Sequence, residues 1–154
     1  DIEWFKTYTF PKYSEFLGDV CMNVTCINAG TQHNVIPGEC TFVVDVRTNE
    51  QYSNQEVYEI IKQSVQSEVT ARSFRLNSSS IAPNHPIVTR GQQFGLELFG
   101  SGTLSDQVFM TKFPSVKIGP GDTMRSHTAN EYILESELEQ GIETYIELLE
   151  NLKI

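Results

Sequence analysis

The sequence has little cysteine, few basic side chains and no long apolar run, and each shortage excludes a class of protein. The 154 residues include 3 cysteines, an odd number without Cys-x-x-Cys spacing, which argues against a disulfide framework or a zinc knuckle. With 20 acidic against 11 basic residues the net charge is −9, which disfavours a nucleic-acid or anionic-membrane surface. No apolar stretch approaches the roughly 20 residues that span a bilayer, and no signal peptide is visible. We therefore expect a globular cytoplasmic protein with buried thiols.

Alternating apolar and polar residues predict two strands in the first half of the chain. The segments "VCMNVTC" and "ECTFVVDVR" show the period of two that is typical of strands with one buried face. The residues predicted to face inward are Val20, Met22, Val24 and Cys26 in the first strand and Cys40, Phe42, Val44 and Val46 in the second. The connection "INAGTQHNVIPG" is too long for a tight hairpin, so we expect a projecting loop that is suited to binding.

A helix and a further strand are predicted after this pair. Ser53 and Glu56 have the spacing of a capping box, which predicts the start of a helix. The segment "VTARSFRL", residues 69–76, predicts a third strand, and the opening "DIEWFKTY" is typical of the last turns of a helix. The first half of the chain therefore has the pattern of a β-β-α-β unit.

The composition shifts to Ser, Asn and Pro around "NSSSIAPNHP", which indicates a crossing between domains. Beyond it we expect a short helix from Pro86, a small strand "SVKIG" and a final helix with a capping box at Ser136 and Glu139. The apolar face of the final helix would comprise Leu138, Ile142, Tyr145, Leu149 and Leu152. The glutamates of this helix are expected to face solvent.

Histidine is scarce, and its three positions do not form a recognisable metal motif. His33, His85 and His127 lack the spacing of a zinc ligand set, and no nucleophile elbow accompanies them. His127 lies in "MRSHTANEYI", directly after a Gly-Pro-Gly turn. From the residues alone, His127 is either a metal ligand or proton carrier, or a solvated loop histidine.

Three segments in order resemble a family of zinc-dependent amidohydrolases. They are "NAGTQHNVIPGECTFVVDVRTN", "GSGTLSDQVFM" and "VKIGPGDTMRSHTANEYI". Their most distinctive pieces are Asn34-Val35-Ile36-Pro37 with Asp45-x-Arg47, and Ser126-His127-Thr128 followed by Asn130-Glu131. The family is the aminoacylase and carboxypeptidase family, which includes acetylornithine deacetylase, succinyl-diaminopimelate desuccinylase and several dipeptidases. Within it, "RSFRLNSSS" and "TLSDQVFM" are most similar to the acetylornithine or succinylornithine deacylase branch.

The resemblance implies an α+β chain made of parts of two domains. Residues 1–76 would be a ferredoxin-like lid that mediates homodimerisation, without its first strand and most of its first helix. Residues 77–154 would be the C-terminal portion of an α/β zinc-hydrolase catalytic domain. The function implied is hydrolysis of an N-acetyl or N-succinyl amino acid, such as acylated ornithine in arginine biosynthesis. A related zinc dipeptidase or carboxypeptidase, and a non-catalytic dimerisation or binding module, remain as alternatives.

The same resemblance implies two zinc ions per full subunit, with cobalt as an alternative metal, and makes His127 a ligand to one zinc. The other ligands and the general base would lie upstream of Asp1, so this chain alone is expected to be inactive, with no catalytic residue of its own. The residues matching substrate-contacting positions are Asn34, Arg47, Gly102, Thr103 and Ser105, with Arg47 on the substrate carboxylate.

Each assignment has a structural alternative. Asn34 could simply form a turn, and Arg47 could form a surface salt bridge. Asp106 either lines the substrate turn or caps the next helix. Asn130 and Glu131 are expected to orient the His127 loop, and Arg72 and Arg75 are hypothesised to select an acidic acyl group.

Overall fold

The computed structural model describes residues 1–153, which contain four α-helices and one antiparallel β-hairpin. The helices are α1 (Ile2–Thr7), α2 (Asn54–Ser64), α3 (Pro86–Gln93) and α4 (Glu135–Leu149), and the strands are β1 (Cys21–Ala29) and β2 (Cys40–Arg47). Short 3₁₀ turns cover Asp106–Phe109 and Thr123–Arg125. The predicted helices at the start, after Ser53, from Pro86 and at the end of the chain are confirmed. Within the described range, no helix is long and apolar enough to cross a membrane.

The chain divides into two units, and each unit is made of two segments that alternate along the sequence. The first unit contains Asp1–Ser79 together with Gly100–Phe109, and the second contains Ser80–Phe99 and the chain from Met110 onward. The assignment of residues 1–76 to a lid and 77–154 to a catalytic domain stays a prediction.

The hairpin confirms the two predicted strands, and their pairing register shifts once. Val24 pairs with Val44, but the next pair joins Cys26 to Val43, so that a bulge falls at Thr25. Before the bulge the inward residues Val20, Met22 and Val24 are buried or half-buried, as predicted.

The bulge also explains why one predicted inward residue is exposed. By placing Cys26 opposite Val43, it moves the Cys26 side chain to the outer face. Cys40 keeps the inner register but lies opposite Ala29, at the end of the hairpin that extends past the core. The inward position predicted for Cys26 was therefore wrong, whereas Cys40 keeps the predicted face without being buried. The prediction of buried thiols was also wrong, because all three cysteines are exposed.

Aromatic packing forms the core of the first unit. The buried apolar cluster consists of Phe5, Phe10, Val20, Tyr52, Val57 and Ile61. The rings of Phe5 and Phe42 pack edge to face with their centres 5.9 Å apart, and those of Phe10 and Tyr52 do so at 5.4 Å. This cluster fixes one face of the hairpin, and the outer face is left available for polar side chains.

Buried amide and hydroxyl groups fix the segment between α1 and β1. Asn49 is 1% exposed, and its side-chain amide donates to the carbonyl of Gly18 at 2.8 Å. The hydroxyl of Ser14, which is fully buried, accepts the N–H groups of Phe16 and Leu17. These bonds satisfy polar groups that would otherwise be costly to bury, and they set the position of the Phe16 backbone.

The third strand predicted over residues 69–76 is absent from the described structure. The carbonyl of Val69 accepts the hydroxyl of Tyr58 at 3.2 Å, and the carbonyl of Leu76 accepts the side-chain amide of Asn54 at 2.9 Å. Side chains of α2 thus bond the ends of this segment, and the only strand ladder among residues 1–153 joins β1 to β2. The predicted small strand "SVKIG" is likewise irregular. Both predictions were wrong. A segment with strand-like residues forms a strand only when a second strand pairs with it, and neither segment has such a partner among the described residues.

The final helix begins earlier than its sequence signal suggested. Its N-cap is Leu134, and Ser136 lies inside the helix, so the capping box predicted at Ser136 and Glu139 was wrong. Glu137 instead accepts the backbone N–H of Leu134 at 2.9 Å. The six glutamates from residue 135 to residue 150 are exposed except for the half-buried Glu137. Only Leu148 is buried in this helix, whereas the predicted apolar face is largely exposed.

Candidate functional site

The candidate residues are divided between the two units of the chain. Arg47, Gly102, Thr103 and Ser105 lie in the first unit, on the outer face of the hairpin and in the Gly100–Phe109 segment. His127 lies in the second unit, in the loop that precedes α4.

Arg47 ends β2 and is held by two hydrogen bonds. Its Nε donates to Oδ2 of Asp45 at 3.0 Å, and its Nη1 donates to the carbonyl of Gly102 at 3.1 Å. Asp45 and Arg47 share the outer face because strand side chains alternate. The bond and the charge of Asp45 raise the pKa of Arg47 above its ordinary value, so the guanidinium stays cationic. Two predicted site residues 55 positions apart are thus brought into contact.

A close backbone approach positions the segment that carries Gly102. A Cβ at Gly100 would lie 2.0 Å from the carbonyl oxygen of Phe16, so this position accepts only glycine without a backbone shift. The hydroxyls of Ser101 and Thr103 lie 2.7 Å apart in the same turn. The segment therefore presents hydroxyl and carbonyl groups beside Arg47.

The end of this segment tests whether Asp106 caps the next helix. Asp106 is the first residue of the 3₁₀ turn Asp106–Phe109, and the carbonyl of Ser105 accepts the N–H of Val108 at 3.2 Å. Ser105 therefore holds the position that precedes the turn, and Asp106 is not its cap. The side chain of Asp106 is exposed on the turn.

Asn34 lies in the exposed loop between the strands and does not contact Arg47 or Gly102. Residues 30–40 are all exposed, and no hydrogen bond joins the Asn34 side chain to any residue from 1 to 153. Arg72 and Arg75 are exposed in the irregular segment after α2. The structure therefore brings together Arg47 and the Gly102 turn but leaves Asn34, Arg72 and Arg75 apart from them.

The His127 loop is defined by local backbone geometry. His127 has φ +62°, which is the left-handed region that non-glycine residues rarely adopt. Its N–H donates to Oε2 of Glu131 at 3.1 Å, the type of contact expected of a residue that orients the loop. The hydroxyl of Thr128 donates to the carbonyl of Arg125 at 2.7 Å, and Asp122 accepts the N–H of Met124 at 2.8 Å.

An ion pair and a tight packing contact join this loop to α4. The Arg125 guanidinium donates to the Glu137 carboxylate, and this bond, together with the N–H of Leu134, lowers the pKa of Glu137. The guanidinium also lies 4.8 Å from the Tyr132 ring centre. A Cβ at Gly141 would lie 2.8 Å from Pro120, so the Gly-Pro-Gly turn packs closely on the helix.

His127 could supply one metal ligand, but the described residues do not form a complete metal site around it. The side chain of His127 is exposed, and its imidazole makes no hydrogen bond within residues 1–153. In the same part of the chain, no cluster of three or more His, Cys, Asp or Glu side chains is arranged to hold a metal. A neutral imidazole suits zinc, which takes three or four protein ligands, so further ligands would have to come from outside these residues.

Residues 3–72 match the family model of the peptidase dimerisation domain of the M20 family. The first unit is similar to an M20 dimerisation domain. The match covers 70 of the 154 residues, supports formation of a homodimer and points to a hydrolase of that family. A comparison with curated proteins gave no match. The α+β fold with a small antiparallel sheet fits the dimerisation domain, while the catalytic portion stays a prediction.

Sequence reasoning underrated several residues that shape these sites. Asp45 was noted only as part of a motif, although its position two residues before Arg47 on one strand face signals a contact. Gly100 carried no distinguishing signal, because its packing partner Phe16 is remote in sequence. The Arg125–Glu137 pair was visible only as two opposite charges.

Proposed function

We propose that the full protein is a cytoplasmic di-zinc hydrolase that removes an acetyl or succinyl group from an amino acid such as ornithine, in arginine biosynthesis. The observation that carries this proposal is the match of residues 3–72 to a peptidase dimerisation domain. The contact between Arg47 and Gly102 supports it, because it brings together two residues, far apart in sequence, that the family resemblance assigns to substrate binding. Residues 1–76 then act as the lid and dimer interface, and 77–154 contribute to the catalytic domain.

The proposed substrate is an N-acyl amino acid with a charged α-carboxylate, and Arg47 is the group proposed to bind that carboxylate. A planar guanidinium donates two parallel hydrogen bonds to a carboxylate, which fixes both position and orientation. Gly102, Thr103 and Ser105 line the same surface, and their carbonyl and hydroxyl groups suit the polar part of the substrate. Because Asn34 lies apart from Arg47 in this chain, its proposed substrate contact is made across the dimer, to the substrate of the partner subunit.

His127 is proposed to hold one of the two zinc ions through a neutral ring nitrogen. When bound, zinc supplies Lewis acidity that polarises the acyl carbonyl and lowers the pKa of water. The role of this chain is to place the imidazole, and the φ of +62° with the Glu131 contact fixes the backbone from which it projects. Cobalt would occupy the same ligand set.

The test is hydrolysis and metal content in the purified full-length protein. The substrates are N-acetylornithine, N-succinylornithine and a dipeptide, which separate the deacylase from the dipeptidase alternative. His127→Ala should lose metal and reduce kcat by several orders of magnitude. Asn34→Ala and Arg47→Ala should mainly raise KM at unchanged metal content.

His33→Ala is the matched control, because His33 is also an exposed loop histidine. It should retain both metals and full activity. Full activity and metal content in His127→Ala would overturn the ligand assignment. A dimer that hydrolyses none of the three substrates would instead favour the non-catalytic dimerisation module.

A further inference from the structure

The guanidinium of Arg47 is held on two sides and left open on one. Nε is bonded to Asp45, and Nη1 is bonded to the Gly102 carbonyl. Nη2 makes no hydrogen bond to any residue within 1–153. Because arginine carries five N–H donors in a rigid plane, both hydrogens of Nη2 and one of Nη1 stay available to an incoming acceptor.

We propose that Asp45 is a positioning residue that orients Arg47 toward the substrate carboxylate, with the Gly102 carbonyl as the second restraint. This inference rests on the proposed function, in which Arg47 binds that carboxylate. Asp45 does not touch the substrate and acts only through Arg47.

The geometry gives Asp45 a rigid base from which to act. Asp45 and Arg47 are two residues apart on β2, and their partners in β1 are Asn23 and Cys21. The inner face of the same hairpin packs on the aromatic core, so the strand backbone is fixed from the other side. A charge-assisted bond of 3.0 Å from such a backbone limits the rotamers of a long arginine side chain.

The exposure of the pair argues for positioning rather than for stability. The side chains of Arg47 and Asp45 are 64% and 48% exposed, and ion pairs at such positions contribute little to folding. Ordering a flexible side chain before the ligand arrives removes part of the entropy cost of binding. The negative charge of Asp45 also repels a carboxylate, but solvent and salt screen that repulsion at an exposed site. If Asp45 orients Arg47, its removal should raise KM, whereas if Asp45 mainly repels the carboxylate, its removal should lower KM. Substitutions of Asp45 therefore distinguish the two effects.

The test compares Asp45→Ala with Asp45→Asn in the full-length protein. Asp45→Ala removes the acceptor for Arg47 Nε, whereas Asp45→Asn keeps an acceptor oxygen and removes the charge. For the hydrolysed N-acyl amino acid, Asp45→Ala should raise KM roughly 2- to 10-fold at unchanged kcat. Asp45→Asn should recover most of this loss. With the α-carboxamide analogue of the substrate, both variants should match the parent.

Glu39→Gln is the matched control, because it removes one exposed carboxylate directly before β2. It should leave KM unchanged. A KM that falls in both Asp45 variants would show that repulsion dominates and would overturn the proposal. An equal rise in KM for the carboxamide analogue, or a large loss of thermal stability in Asp45→Ala, would also overturn it.

The Arg47 Nε–H resonance in NMR gives a readout that does not depend on turnover. It should be protected from exchange in the parent and in Glu39→Gln, and it should lose protection in Asp45→Ala. Equal protection in Asp45→Ala would overturn the positioning role even in an active enzyme. If the parent hydrolyses no N-acyl amino acid, the proposed function fails, while this resonance still decides whether Asp45 holds Arg47.

Discussion

The two units of the chain hold their candidate residues by different means. In the first unit a cluster of six buried apolar residues supports the hairpin that carries Arg47. In the second unit the buried apolar residues among those described are Val88 and Leu148, and His127 lies in a loop fixed by hydrogen bonds and one ion pair. The position of Arg47 therefore depends on core packing, whereas that of His127 depends on local polar contacts.

Apolar exposure sharpens this contrast. Leu138 and Ile142 of α4 are 45% and 63% exposed, whereas Val57 of α2 is 2% exposed. A helix that buries one leucine gains less from the hydrophobic effect than a helix packed on an aromatic cluster. We therefore expect the second unit to open more often than the first, which amide hydrogen exchange would measure.

The largest expected effect tests the two cores directly. Phe10→Ala should lower the free energy of unfolding of the first unit by about 3–5 kcal/mol, because Phe10 is 2% exposed and contacts the Tyr52 ring. Leu148→Ala should cost the second unit about 2 kcal/mol, since exposed neighbours let the site relax. Amide hydrogen exchange as a function of urea concentration, measured for peptides from each unit, gives the unfolding free energy of that unit and so checks both predicted losses. Equal losses in the two units would contradict the expectation that the first unit depends more strongly on its buried core.

A smaller effect is expected from the backbone of the His127 loop. Alanine at φ +62° should cost about 1 kcal/mol relative to glycine, because a Cβ crowds the following carbonyl in the left-handed region. His127→Gly should therefore be more stable than His127→Ala, although both lose the imidazole. Thermal unfolding of the two variants gives the difference. Identical melting temperatures would show that this loop is not held in the left-handed conformation.

The smallest effect is the pH dependence of the second unit. Because the Arg125 guanidinium and the Leu134 N–H lower the pKa of Glu137, the folded state favours the ionised carboxylate. This stabilisation is complete above the ordinary value of 4.5 and is lost as pH falls through the lowered pKa. Glu137→Gln should therefore destabilise the second unit at neutral pH, and its difference from the parent should shrink below about pH 4.

Glu143→Gln is the control for this titration, since Glu143 is an exposed glutamate of the same helix. Its stability should follow that of the parent from neutral to acid pH. A Glu137→Gln variant with the same pH profile as the parent would show that the Arg125 pair contributes nothing to the second unit.

The starts of α2 and α3 could be predicted from the sequence because each depends on residues within a single helical turn. The capping box of Ser53 and Glu56 was predicted from spacing, and the Ser53 N–H and hydroxyl both donate to the Glu56 carboxylate at 2.7 Å and 2.8 Å. The start of α3 at Pro86 follows equally from a proline that fixes the first helical turn. These features need only neighbours within a few residues, and one sequence segment contains all of them.

The α+β pattern, the two strands of the hairpin and the four helices could be predicted from the sequence. The assignment of Gly100–Phe109 to the first unit, the contact of Gly102 with Arg47 and the absence of a strand over residues 69–76 became visible only in the folded chain. Capping and periodicity can be predicted because they arise within a few residues. The bulge at Thr25, the approach of Gly100 to Phe16 and the bonds of Arg47 instead arise between segments whose alignment no single segment specifies.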